Sequence, residues 1–179
     1  MMVLFSGNQM SLHHNIESIL NTDCQDKIPP LLSEYYRSND TSWEPYCFWK
    51  SGIYTRNLMS SSNRFEIVII CWDVYTESPI HDHDNKDCWF VVLRGLIQEV
   101  GYEFHDDKLV QDSTRIYESG HVSATGIQWH KMSSLSDKTI TLHIYSKPIE
   151  YCSIYCPDTD QITRVKNSYH SKYGLIQKF

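Results

Sequence analysis

Hydrophobic and polar positions divide the chain into two unequal parts. Between residues 11 and 38 apolar residues recur at helical spacing: Ile16, Ile19 and Leu20, then Leu31, Leu32, Tyr35 and Tyr36. Ser11 stands where an N-cap would start the first helix, and Pro30 falls in the opening turn of the second, where a missing N–H costs least. From about residue 43 the period shortens. Extended, β-prone runs cover 48–58, 65–74, 88–93, 96–104, 109–117 and 139–145, with polar turns at 60–63, 105–107 and 119–120. The run at 65–74 is almost continuously apolar, which predicts a central strand covered on both faces. Short strands at this spacing predict a β-sandwich or small barrel. No internal repeat, low-complexity tract or linker interrupts it. The expectation is therefore one domain over 1–179, a helical flank at 1–42 and a β-barrel at 43–179.

Composition narrows the class of function. A net charge of −6 with no block of Lys or Arg argues against nucleic acid or a membrane surface as partner. Met1 to Met10 carry no basic segment and no long apolar run, and no stretch reaches membrane-spanning length, so a cytoplasmic protein is expected. In that reducing compartment the six cysteines read as thiols rather than a disulfide framework. Cys152 and Cys156 have no second pair at zinc-site spacing and read as structural. No long unpatterned apolar surface stands out, and a monomer is expected.

The candidate chemistry begins at Ile80-His81-Asp82-His83. In extended backbone alternate side chains leave the same face, so His81 and His83 would enter one cavity together as two imidazole ligands for a metal. After four intervening residues comes Cys88, and after six more Gly95. This spacing resembles the first motif of the cupins, except that Cys88 stands in the slot of a glutamate ligand. The site would then be built of neutral histidines. A third ligand is sought on a later strand. His130, at the end of Gly126-Ile127-Gln128-Trp129-His130, is favoured over His121, which sits beside a turn. His13 and His14 are adjacent on a helix, diverge, and read as surface residues. In Thr141-Leu142-His143-Ile144-Tyr145 the alternation is strict, so Leu142 and Ile144 would face a second layer while Thr141, His143 and Tyr145 look inward. A buried hydroxyl, imidazole and phenol need hydrogen-bond partners.

Four stretches in order resemble the cysteine dioxygenases of the cupin superfamily: Tyr54-Thr55-Arg56-Asn57-Leu58, the His81/His83/Cys88 segment, His130, and Leu142-His143-Ile144-Tyr145-Ser146. The resemblance implies an all-β, cupin-type, jelly-roll-like barrel that binds Fe(II) through His81, His83 and His130. It implies addition of O2 to the thiol of free L-cysteine, giving cysteine sulfinic acid. Arg56, helped by Tyr54, would hold the substrate carboxylate. Tyr145 would be oriented by His143, with Thr141 bonded to His143 in turn, and Cys88 would be joined to Tyr145 by a thioether bond. Where the family has Ser-Pro-Pro after the tyrosine, often with a cis bond, this chain has Ser146-Lys147-Pro148. The rival readings are a dioxygenase for another small thiol, such as 3-mercaptopropionate or cysteamine, and a non-catalytic metal-binding cupin. Arg56 speaks against cysteamine, which has no carboxylate, and an oriented phenol at Tyr145 has no use in a storage site.

Overall fold

Ser11 caps the first helix, α1 (Leu12–Asn21), its hydroxyl accepting the backbone N–H of His14 at 3.4 Å. The second, α2 (Ile28–Arg37), begins two residues before Pro30, with both prolines of Ile28-Pro29-Pro30 in its first turn. A computed structural model of the chain describes residues 11–22, 24–125 and 128–178. Within them the strands are β1 (Tyr54–Ser61), β2 (Glu66–Trp72), β3 (Ile80–His81), β4 (Cys88–Arg94), β5 (Leu96–His105), β6 (Lys108–Glu118), β7 (Val122–Thr125), β8 (Trp129–Ser134), β9 (Thr139–Tyr145), β10 (Tyr151–Cys156), β11 (Gln161–Lys166), β12 (Ser171–Lys172) and β13 (Leu175–Ile176). They form two sheets, ordered β13-β12-β1-β2-β9-β4-β7 and β11-β10-β3-β8-β5-β6. The fold is jelly-roll-like. Among the described residues its hydrogen bonding forms two sheets and does not run continuously round a closed barrel.

The first sheet is buried on both faces, which is why β2 and β9 read as nearly unbroken apolar runs. Ile67, Ile69 and Cys71 of β2, Trp89 and Val91 of β4, and Ile140, Leu142 and Ile144 of β9 point outward onto Leu12, Ile16 and Leu20 of α1 and Ile28, Leu32 and Tyr35 of α2. Burying each of these aliphatic side chains contributes about 1.5–3 kcal/mol. The helical flank is thus the second layer that the alternation of 141–145 requires. The opposite phase, Val68, Ile70 and Trp72 with Cys88, Phe90, Val92 and Tyr145, faces inward and meets Ile97, Tyr117 and Met132 from the second sheet. Gly95 makes the turn between β4 and β5 at φ +91°, where a Cβ would stand 2.5 Å from Thr139 Oγ1.

One local expectation changes. His13 is half-buried rather than a surface residue: its ring packs on Phe65 at 5.0 Å and bonds Ser60. The bond before Lys147 is trans, since the described residues contain no cis peptide. Gly126 and Ile127 lie outside the described residues. No disulfide joins the cysteines.

Candidate active site

His81 ends β3, directly opposite His130 on β8. The strand stops there, so His83 does not share it as expected; it lies in the turn that follows. Asp82, between the two histidines, points the other way. Its carboxylate accepts the backbone N–H of Ser153 at 2.8 Å while its own N–H bonds Ser153 O at 3.1 Å, pinning the segment to β10. The turn closes through Asp84 and Asn85 at positive φ, residue types that tolerate it. His81 and His83 therefore still converge, ring centroids 5.3 Å apart, and each lies 4.7 Å from the ring of His130.

One ligand-capable nitrogen from each of the three histidines lies within 4.8 Å of the others, a grouping that can hold a metal ion. The donor chemistry fits. His130 Nδ1 lies 2.7 Å from Glu99 Oε1, and His81 Nδ1 lies 3.0 Å from the carbonyl of Pro79. An N–H at each Nδ1 donates there and leaves Nε2 as a lone pair. His83 Nε2 and His130 Nε2 then face each other at 3.1 Å. Two nitrogens each about 2.0–2.1 Å from one ion would be about 2.9–3.4 Å apart, for angles between right and tetrahedral. Burial, then the charge of His130, lowers the pKa of His81 to about 3, and the same two causes hold His83 well below its usual value. All-imidazole sites suit Zn, Cu, Fe and Ni.

Glu99 and Tyr117 belong to this site and were not singled out from the sequence. Glu99 is 1 % exposed, and its other oxygen accepts the Tyr117 hydroxyl at 2.9 Å. Burial works against its charge, but the hydrogen bond and charge of His130 win and keep its pKa below the usual value. The signal was present: Glu99 follows Ile97 in the inward phase of β5. His121 is exposed and stacks on Tyr117 at 4.4 Å; it does not join the histidine group.

Cys88, His143 and Tyr145 line the wall beside the histidines. The Tyr145 ring lies 5.5 Å from that of His83. Trp72 Nε1–H donates to Thr141 Oγ1 at 2.9 Å, and Thr141 Oγ1 lies 2.9 Å from His143 Nε2. His143 Nδ1 lies 3.7 Å from Cys88 Sγ. Every donor is paired if the Thr141 hydroxyl donates to Nε2 and Nδ1–H donates to the sulfur, the thiol in turn facing Trp89 O at 3.9 Å. His143 is neutral, its pKa pushed well down by burial and then by the charge of Arg56. His143 meets Tyr145 by ring stacking, centroids 6.0 Å apart and 15° from parallel. Burial, then the neighbouring Cys88, keeps the Tyr145 phenol protonated well above its usual pKa.

Arg56, on β1, lies beside Tyr145. Its guanidinium lies 5.9 Å from the Tyr145 ring and 5.7 Å from the Tyr169 ring. Nε and Nη2 are buried and have no hydrogen-bond partner. Those two N–H groups form one edge of the guanidinium, the fork that takes a carboxylate bidentately. Tyr54, two residues earlier on the same face, stacks on Trp72 at 5.0 Å and feels the charge of Arg56. Cys152 lies in the field of Arg56 too, its Sγ bonded to Asn167 at 3.5 Å.

The family model described as cysteine dioxygenase type I matches residues 9–169. Human cysteine dioxygenase type 1 is 30% identical over 180 residues, 96% of this chain and 83% of that protein. The zebrafish (Danio rerio) protein of the same name is 29% identical over 153 residues, 80% of this chain and 76% of that one. Among solved structures, an uncharacterized Klebsiella pneumoniae protein with a double-stranded β-helix domain superposes with a TM-score of 0.50 at 14% identity, covering 73% of this chain and 93% of that one; this likeness bears on the fold alone. A family match over most of the length, on top of a jelly-roll fold with three convergent histidines, means that the chain belongs to the cysteine dioxygenase type I family.

Proposed function

We propose that the chain is an Fe(II)-dependent dioxygenase of free L-cysteine, adding both atoms of O2 to the thiol to give cysteine sulfinic acid. Family membership makes it an oxidoreductase of the dioxygenase type. The substrate and the metal are the parts proposed. The observation that carries the reading is the Arg56 fork: a buried, unpartnered guanidinium edge beside Tyr145, whose ring in turn lies 5.5 Å from that of His83. Such a group calls for an anion, and the paired N–H edge suits a small carboxylate.

Each residue then has a task. His81, His83 and His130 would hold the iron as neutral ligands, with Glu99 fixing His130 and the Pro79 carbonyl fixing His81. Bound Fe(II) supplies a site for thiolate and dioxygen and favours the deprotonated thiol. Arg56 binds and orients the carboxylate, with Tyr54 beside it. Tyr145 keeps its proton and offers a hydroxyl to the substrate end of the cavity, its ring held by His143, which Thr141 and Trp72 hold in turn. Trp72, Phe90 and Ile70 keep bulk water out. Cys88 and Tyr145 would be joined by a thioether, with loss of one hydrogen from each, O2 being the oxidant. The working unit would be a single copy.

The test is a thiol panel. Protein loaded with Fe(II) under anaerobic conditions is given L-cysteine, 3-mercaptopropionate or cysteamine, then air, and the products are identified by NMR. L-cysteine should be the best substrate and sulfinate its product. A sulfinate only from 3-mercaptopropionate, or only from cysteamine, overturns the substrate assignment.

A further inference from the structure

A second charged group stands at Arg56. Glu66 lies on β2 in the inward phase, directly opposite Tyr145 on β9, and is 1 % exposed. A carboxylate in that setting is costly to charge. Burial pushes its pKa up, opposed by the hydrogen bond from Tyr169 and then by the charge of Arg56. Oε2 accepts the Tyr169 hydroxyl. Oε1 has no hydrogen-bond partner, and it stops 4.0 Å from Arg56 Nη2, itself unpartnered. That separation is too long for a hydrogen bond and short enough for a strong charge interaction.

Two complementary buried groups left apart need a cause. Both are tethered. The backbone of Arg56 is fixed in β1 and donates its N–H to His170 Nδ1 at 3.1 Å, while its guanidinium lies against the rings of Tyr145 and Tyr169. Glu66 is fixed in β2 and held by Tyr169. The other charged group facing it is Lys172, across a surface cavity of about 410 Å³ whose wall includes Glu66 and Tyr169. The Arg56 fork thus stays open, with a negative charge beside it.

We infer that Glu66 is a specificity-determining residue: a resident carboxylate, held by Tyr169 just short of the Arg56 fork, against whose charge any substrate carboxylate must bind. This rests on Arg56 being the carboxylate site. Glu66 sets how tightly carboxylate-bearing thiols are held and leaves thiols without a carboxylate untouched. Tyr169 is a positioning residue, because releasing Glu66 would let Oε1 close on the fork and compete directly.

Anaerobic calorimetry of the Fe(II)-loaded protein with L-cysteine, 3-mercaptopropionate and cysteamine tests it. Glu66→Gln keeps the shape and an acceptor for Tyr169 but removes the charge. It should lower Kd for both carboxylate thiols by about tenfold and leave cysteamine within about twofold. Tyr169→Phe, which keeps the ring over Arg56, should weaken both carboxylate thiols, and the double variant should bind as Glu66→Gln does. Unchanged or weaker L-cysteine binding in Glu66→Gln overturns the inference, as does an equal change for cysteamine. If Glu66→Gln does not fold, Tyr169→Phe decides: no weakening overturns it. A wild-type protein that binds L-cysteine no better than cysteamine fails the Arg56 reading itself, which separates the two failures.

Discussion

Cys88 and Tyr145 stand directly opposite one another on neighbouring antiparallel strands, β4 and β9. Residues so paired have Cβ atoms about 4.5–5.5 Å apart. Both side chains are on the inner face and essentially inaccessible to solvent. The register therefore brings a thiol and a phenol ring together, and strand pairing, rather than any loop, fixes their distance. After aerobic turnover with Fe(II) and L-cysteine, a fraction of the protein should lose two hydrogens in intact mass. A peptide map should show the Cys88 and Tyr145 peptides joined, and Cys88→Ser should show neither change. Protein that never loses the two hydrogens, even after extended turnover, excludes the cross-link.

The proposed iron site makes a sharp contrast between two histidines. His130→Ala removes a nitrogen from the convergent group and should abolish stoichiometric iron binding, measured by metal analysis after dialysis. His121→Ala removes an exposed ring stacked on Tyr117 and should bind iron normally. Glu99→Gln keeps an acceptor for His130 but not its charge, and should weaken iron binding about 10–100-fold. Normal iron content in His130→Ala would misplace the third ligand.

Arg56→Ala takes away the fork. KM for L-cysteine should rise by on the order of 10–100-fold, the value of a charge-assisted bidentate contact, with little change for cysteamine. Arg56→Lys should recover only part of the loss, because an ammonium cannot make the paired contact. Steady-state kinetics on the two thiols distinguish this from a general loss of folded protein, which would affect both alike.

The buried, neutral His143 makes stability depend on pH. In the unfolded chain its imidazole takes up a proton near pH 6.5; in the fold burial holds its pKa far lower. Below pH 6.5 the unfolded state binds more protons, so this contribution is complete above pH 6.5 and is lost as pH falls. Urea unfolding of metal-free wild type and His143→Gln at pH 7.5 and pH 5 checks the sign: the wild type's advantage should shrink at pH 5. A constant gap would mean that His143 titrates normally.

Much of the fold was legible because periodicity reports burial directly. The inward set Thr141, His143 and Tyr145 and the outward set Leu142 and Ile144 follow from alternation alone, and β9 spans Thr139–Tyr145 as the run at 139–145 predicts. The short strands β7, β10, β11, β12 and β13 were not legible. Val122–Thr125 and Ser171–Lys172 are too brief to show a period, and their pairing is tertiary. His83 illustrates a different limit. Its convergence with His81 depends on a turn whose shape comes from Asp82 bonding β10, a contact some 70 residues away in sequence. Glu66 and Glu99 were overlooked because a carboxylate within an apolar strand reads as a break in the pattern. Both sit in its inward phase, and what makes them tolerable, Tyr169 for one and His130 with Tyr117 for the other, comes from distant strands and loops.

The proposed reaction is oxygen addition to the thiol of L-cysteine at the three-histidine site. Its most direct measurement is a single reaction of Fe(II)-loaded protein with L-cysteine under 18O2, followed by mass spectrometry of the product. Cysteine sulfinic acid carrying two 18O atoms is the predicted result, absent from His130→Ala. Cystine, or a sulfinate whose oxygens come from water, would contradict it.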